Sequence, residues 1–367
     1  MNQVVCLSGE AWSKVPSRSQ QLMSRLRDAQ VLFFDPPSPN YKAPGRQLRP
    51  GLTAYALPPD PFSSSAPRFL TQLMGDRQGK LLRKRLDAHR FRKPLLWCSS
   101  PQGAKYLDDF PWRGVVYDCG RYWSSYPDQW EDKLTRAADV VFAASPGLQR
   151  RLLPLNPNVT LLPNGANYPM FAKDDLPRPR PLRYVQVPLL GHLGTLWPDL
   201  DLSPLVELAR THPNWALVLV GKDEGNPLLP ELLTYSNVRH LDRVDTVDLP
   251  DYLCAFQVCL YLLRQGRQED DVIPSRLFEL LSAGRPIVAM LRPDQVELFP
   301  DVIYGAHSTG EFLELCGHAL TESDSFALER RRAYGQANSW AARAQAVNQI
   351  LESIGLLDPG LQESYFS

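Results

Sequence analysis

What most constrains this chain is an alternation of strand-length apolar runs with amphipathic stretches, which occurs twice and is interrupted once. Residues 3–7 read as a buried strand and 17–29 as a helix with Leu22, Leu26 and Ala29 on one face. Residues 31–34 then begin a second strand, completing a β-α-β unit. Further strands are expected at 94–98, 114–118, 140–144 and 159–162, with helical patterns between several of them, which favours a parallel sheet covered on both faces. The alternation stops at Lys173-Asp174-Asp175-Leu176-Pro177-Arg178-Pro179-Arg180-Pro181. Three prolines alternating with basic residues cannot continue a helix or a central strand, so this stretch reads as a linker. The pattern restarts with strands at 189–191, 216–220, 238–241, 258–263 and 286–290 and helices near 202–211 and 275–283. Residues 36–67, rich in Pro and Ser, read as a long loop, 69–92 as a basic helix, and 311–354 as mostly helical.

The expected architecture is α/β: two doubly wound, Rossmann-like domains at 1–172 and 187–339, a linker at 173–186, and a helical tail at 340–367 that can pack back on the first domain. Domains of this kind, joined in this way, face each other across a cleft at the carboxyl ends of their strands, where ligands of open α/β sheets bind. A length of 367 residues suits two domains. The balance of 40 basic and 40 acidic residues leaves no charge footprint for a phosphate backbone, so no nucleic-acid partner is expected. The first apolar run is too short for a signal peptide, and no run reaches the roughly 18 residues that span a bilayer. Six cysteines without a C-x-x-C pair fit buried thiols in a reduced, cytoplasmic setting. The six histidines show no metal-ligand spacing, and neither a phosphate-binding P-loop nor a nucleophile elbow is present.

The stretch Asp271-Val-Ile-Pro274-Ser275-Arg276-Leu-Phe278-Glu279-Leu-Leu281-Ser-Ala-Gly284-Arg-Pro286 carries the most chemistry. Pro274 and Ser275 mark a helix start, where serine can cap and where open amides with the positive dipole end suit a phosphate. Arg276 can bind two phosphate oxygens at once, and Glu279, on the same face, can accept from two vicinal hydroxyls such as those of a ribose. Gly284 and Pro286 end the helix. The same residues also describe an ordinary helix start with a solvated Arg276, and on chemistry alone both readings stand.

The arrangement Pro274-x-Arg276-x-x-Glu279-x-x-Ser-Ala-Gly284-x-Pro286 resembles the donor-site helix of family-four glycosyltransferases of the GT-B fold, and Asp271 stands where that family has the first Glu of its E-x7-E motif. Residues 139–148, 158–168, 191–194, 213–221 and 249–253 resemble other passages of the family, so that the likeness covers roughly residues 1–300, nearest to the teichuronic-acid-biosynthesis-like members. The resemblance implies an N-terminal acceptor domain and a C-terminal domain for a UDP- or GDP-linked sugar. It also implies transfer with retention, in cell-surface polysaccharide synthesis, without metal or other cofactor. Glu279 would then hold the ribose, Arg276 the diphosphate, Asp271 the transferred sugar, and the turn of Gly191, His192, Gly194 and Thr195 the phosphates. Asp118 is the candidate polar group near the reacting sugar, and Trp12 and Arg121 are acceptor-side candidates. Two departures from the family pattern are evident: Thr195-Leu196-Trp197-Pro198-Asp199 has no cation after the glycine turn, and Asp118-Cys119-Gly120-Arg121 has one acidic residue where a pair is usual. They motivate a second reading, a catalytically silent GT-B protein that binds a nucleotide or glycan or serves as a partner subunit. The acceptor implied is a glycan or a lipid-linked glycan. A lipid-linked acceptor brings peripheral contact with the inner face of the membrane, for which residues 81–92, basic with an apolar side, offer an interfacial helix; the same pattern fits, more readily, a surface helix packed on the N-terminal domain.

Overall fold

A computed structural model describes residues 1–59, 68–186, 188–262, 264 and 271–359. The chain divides into two compact units, Met1–Pro163 with Arg343–Ser367, and Asn164–Ala342.

In the first unit the elements run β1 (Asn2–Leu7), α1 (Arg18–Met23), β2 (Ala29–Asp35), β3 (Arg46–Arg49), β4 (Leu52–Ala56), α2 (Arg68–Ala88), β5 (Leu95–Cys98), β6 (Gly114–Cys119), α3 (Asp128–Ala137), β7 (Val140–Ala143), α4 (Pro146–Leu152) and β8 (Val159–Leu161). They build one sheet in the order β3-β4-β2-β1-β5-β6-β7-β8, parallel throughout except for the β3-β4 pair. Its central strands are continuous apolar runs because helices cover both faces, and Trp97 stacks on Phe142 in the interior with ring centroids 5.6 Å apart. The strand order reverses at β1, which places a topological switch point between β1 and β5.

One expectation for this unit changes. The long loop expected at 36–67 contains the antiparallel β3-β4 pair, whose turn carries Pro50 and Gly51, the latter at φ 77°. The proline and glycine that read as loop residues are hairpin punctuation. For the basic stretch 81–92 the burial favours the helix packed on its own domain over the interfacial one: Leu82, Leu86 and Phe91 are buried. Its helix stops at Ala88, and Arg90 turns the chain at φ 58°.

The second unit contains α5 (Tyr168–Phe171), β9 (Leu189–Leu193), α6 (Ser203–Thr211), β10 (Ala216–Val220), α7 (Leu229–Leu232), β11 (Val238–Leu241), α8 (Leu249–Ala255), β12 (Val258–Tyr261), α9 (Ser275–Ala283), β13 (Ile287–Met290), α10 (Pro293–Val296), β14 (Tyr304–Ala306), α11 (Thr309–Leu320) and α12 (Ala327–Ala337). The last helix, α13 (Trp340–Ser353), starts in this unit and lies mostly in the first. The all-parallel sheet has the order β11-β10-β9-β12-β13-β14, so its switch point falls between β9 and β12.

The boundaries differ from those expected, for reasons visible in the packing. Residues 164–171 belong to the second unit: Asn164 Nδ2 donates to the Ile273 carbonyl at 3.0 Å, the Trp340 amide donates to the Ala166 carbonyl at 2.9 Å, and Phe171 is buried in that unit's core. The proline-rich stretch is no free tether, since Leu182 and Val185 sit in the same core. The C-terminal segment closes on the first strand of the first unit, where Asn2 and Asp358 exchange two hydrogen bonds and Asn348 Oδ1 accepts from the Arg27 amide. Among the described residues no helix is long and apolar enough to cross a membrane.

Candidate functional site

In the second unit the sequence-derived residues gather at the carboxyl edge of β9 and β12, beside the switch point, where a parallel sheet leaves room for a ligand. They do not all do what was expected. Gly191 lies inside β9, paired with Val218 and Cys259, and a Cβ there would come within 2.1 Å of the Phe256 ring. Its small size serves packing and not the approach of a ligand. Gly194 follows the strand at φ 157°, and its amide donates to the Val220 carbonyl at 3.0 Å, so that amide is already engaged. The backbone of Gly221 makes the close approach: a Cβ on it would lie 1.9 Å from the Gly194 oxygen. Of this turn, the Thr195 amide is the one without a partner among the described residues.

His192 is buried in β9 and its Nδ1 lies 3.2 Å from the Leu260 carbonyl. A carbonyl only accepts, so Nδ1 carries the proton. Burial, with the nearby Arg276 charge, lowers the imidazole pKa to about 4, so the ring is neutral at physiological pH and Nε2 holds a lone pair. That atom is buried without a partner, beside Gly194, where a Cβ would stand 3.3 Å away. A neutral Nε2 accepts; it suits a hydroxyl and repels a phosphate oxygen, which corrects the phosphate role expected of His192. The sign of the linkage is testable. The folded value of about 4 lies below an unfolded value of about 6.5, so the unfolded chain takes up the proton first. Stability present above pH 6.5 is lost as pH falls toward 4, by about 3 kcal/mol. Urea unfolding across that range should show a steeper acid loss in the wild type than in His192→Gln, and parallel curves would contradict the burial of a neutral ring.

Helix α9 opens on the same edge. Its N-cap is Pro274, extended at φ −66° and ψ 154°, and no side chain caps it. Ser275, expected as a cap, is the first helical residue instead. Proline has no donor of its own, and the first amides stay directed past the helix end. Arg276 pairs with Glu279 one turn on, both about a quarter or less exposed. Asp271 is buried at the foot of the same connection, and its carbonyl is 3.5 Å from Gln295 Nε2. Sequence reasoning missed Asn164, whose bond to the Ile273 carbonyl fastens the residue before Pro274. The Pro163-Asn164-Gly165 passage was the available signal. A Cβ on Gly165 would meet the Asn338 oxygen at 2.6 Å, so this passage is held as close-packed backbone.

The first unit gathers its own candidates at the carboxyl edge of its sheet. Asp118 stands next to last in β6 and is buried; Arg18 donates from Nε to its Oδ1 at 2.8 Å, with a second guanidinium nitrogen at 2.8 Å. Burial raises the Asp118 pKa and Arg18 opposes the rise. Oδ2 is buried without a partner. In this arrangement Asp118 pins α1 to β6 and presents no open carboxylate to a substrate. Arg121 reaches Glu10 at 3.4 Å and lies over the Trp123 ring at 4.3 Å. Trp12 donates its amide to Asp35 Oδ1 at 2.7 Å, and Arg46 holds Oδ2 at 2.7 Å. These two residues line an open pocket of about 680 Å³ with Trp12, Lys42 and Tyr55. The segment carrying Arg121 is braced from behind. Arg151 grips both oxygens of Glu131 at 2.8 and 2.9 Å, Tyr117 donates to Oε1 at 2.7 Å, and the Arg151 guanidinium packs on Tyr122. Nothing in the local sequence around Arg151 signals this network, because its partners come from three different elements. Among the described residues no cluster of His, Cys, Asp and Glu is suited to a metal ion.

Comparison with known proteins bears on the fold. A family model described as glycosyl transferase-like matches residues 203–349. A protein of Bacillus subtilis strain 168 named as a teichuronic acid biosynthesis glycosyltransferase, TuaH, is 25% identical over 272 residues, covering 67% of this chain and 68% of its own. Among solved structures, sucrose-phosphate synthase of Thermosynechococcus elongatus aligns with a TM-score of 0.71 at 16% identity, over 97% of this chain and 99% of that one. HepE of Anabaena, solved with UDP-glucose, aligns at 0.66 and 16% identity over 96% and 99%. The fold is GT-B, with two Rossmann-like units each built on a parallel sheet.

Proposed function

We propose that this chain, a GT-B protein resembling the TuaH-type glycosyltransferases, transfers a sugar from a UDP- or GDP-linked donor to a glycan or lipid-linked acceptor, with retention and without a metal ion, in cell-surface polysaccharide synthesis on the cytoplasmic side of the membrane. The observation that carries this is the convergence, at the β9/β12 switch point, of the Thr195 amide, the buried Nε2 of His192 and the uncapped start of α9 with Arg276 and Glu279. Donors for phosphate, an acceptor for a hydroxyl and a carboxylate for vicinal hydroxyls are the chemistry of a nucleotide sugar. In this reading Glu279 holds the ribose, Arg276 and Thr195 the diphosphate, and Asp271 and His192 hydroxyls of the sugar. The preorganised donors stabilise the leaving diphosphate. Trp12 and Arg121 belong to the acceptor side. The relative TuaH, and a neighbour solved with UDP-glucose, support a nucleotide-sugar donor.

The test is incubation with a panel of UDP-, GDP- and ADP-sugars and isolated glycan or lipid-linked acceptors, scoring release of nucleoside diphosphate and the anomeric configuration of the product by NMR. Acceptor-dependent release with retention is the expected result. The second reading, a silent binding protein, is favoured by the closed Arg18–Asp118 pair; binding of a nucleoside diphosphate with no turnover of any donor would select it.

A further inference from the structure

The turn after β9 runs Thr195-Leu196-Trp197-Pro198-Asp199 and has no cation to meet a diphosphate. His192 is neutral, which leaves Arg276 as the one cation so far assigned to the diphosphate. The structure supplies a cation from the neighbouring strand. β12 leaves the sheet beside β9, on the other side of the switch point, and Arg264 beyond it forms an antiparallel bridge with Leu200. Its Nε donates to Asp199 Oδ1 at 2.9 Å and Nη2 lies 2.7 Å from the same oxygen. The guanidinium carbon sits 4.9 Å from the centre of the Trp197 ring. Nη1 has no partner among the described residues, and the side chain is about a third exposed.

We propose that Arg264, oriented by Asp199 and Trp197, is a second diphosphate-binding cation of this site beside Arg276, standing in for the cation that the β9 turn lacks. This rests on the donor reading above and adds to it a residue and the ligand group it meets. Asp199 occupies the Nε/Nη2 edge through a single oxygen, and the ring of Trp197 covers one face, so the Nη1 edge remains for a phosphate oxygen. A guanidinium already held on an edge and a face loses little rotamer freedom when a ligand arrives. A planar fork also matches phosphate geometry better than an ammonium would. Asp199 and Trp197 are positioning residues.

The experiment is titration of the wild type, Arg264→Gln and Arg264→Lys with UDP and with uridine, using calorimetry for the first and NMR shift changes for the second, at two ionic strengths. GDP and guanosine replace them if the wild type prefers that base. Arg264→Gln keeps a planar, hydrogen-bonding end, so a loss in that variant reports charge and not collapse of the Trp197 contact. The expected result is a roughly tenfold or greater loss of diphosphate affinity, a flatter salt dependence, unchanged nucleoside affinity, and partial recovery with Lys. Unchanged diphosphate affinity overturns the assignment while leaving the donor site intact. Equal losses for diphosphate and nucleoside also overturn it, because they place Arg264 in general support of the site. Failure of the wild type to bind any nucleoside diphosphate overturns the donor reading, and this assignment with it.

Discussion

Glu279→Ala is expected to weaken nucleoside diphosphate binding by about ten- to a hundredfold and to reduce donor turnover at least as much, with little change in the thermal midpoint. The magnitude follows from hydrogen bonds between a carboxylate and two hydroxyls, each about 1.5–3 kcal/mol in a partly buried site and not fully additive. Stability should hold because Glu279 is not in the core, and its one described bond is to Arg276 in its own helix. The pairing gives the substitution a second signature. Removing the carboxylate frees Arg276, so inorganic pyrophosphate should bind as well as before or better, while UDP or GDP binds worse. Weaker pyrophosphate binding in step with the nucleotide would mean that Glu279 acts by holding Arg276, and the ribose role would fall.

Arg18→Ala should strongly destabilise the first unit. Asp118 is buried with its side chain closed to solvent, and Arg18 is its partner at 2.8 Å. Removing one member of a buried pair leaves an uncompensated charge and costs about 3–5 kcal/mol. The pH dependence has a definite direction. Burial already raises the Asp118 pKa, and without Arg18 the rise is larger. A raised folded pKa gives stability that is present below the unfolded value and is lost as pH rises through the folded one. The variant should therefore be weakest at neutral pH and recover part of the loss on mild acidification. Chemical denaturation at pH 7 and pH 5 measures this; an equal deficit at both would show that Asp118 is not the source.

Much of the layout was legible because parallel strands buried on both faces read as apolar runs: 94–98, 114–118 and 216–220 are strands in the structure, with β5, β6 and β10 at Leu95–Cys98, Gly114–Cys119 and Ala216–Val220. The antiparallel β3-β4 pair was not legible. At the sheet edge its residues are half exposed and basic, Arg46-Gln47-Leu48-Arg49, so no apolar alternation announces it. Helix α9 was legible by its spacing and its Gly284 stop at φ 80°. Which glycine does what was not. Gly191 and Gly194 look alike in sequence, but one faces Phe256 and the other Gly221 and His192, and only neighbours distant in the chain decide that. Arg264 was hidden for the same reason, since its partners lie on another strand's turn.

The most direct measurement is calorimetric titration of the intact protein with UDP, GDP and ADP, followed by the preferred one on Glu279→Ala. A nucleotide-sugar site at the β9/β12 switch point predicts saturable one-to-one binding of UDP or GDP that the substitution weakens at least tenfold. Absence of binding for all three, or binding that Glu279→Ala leaves untouched, would contradict it.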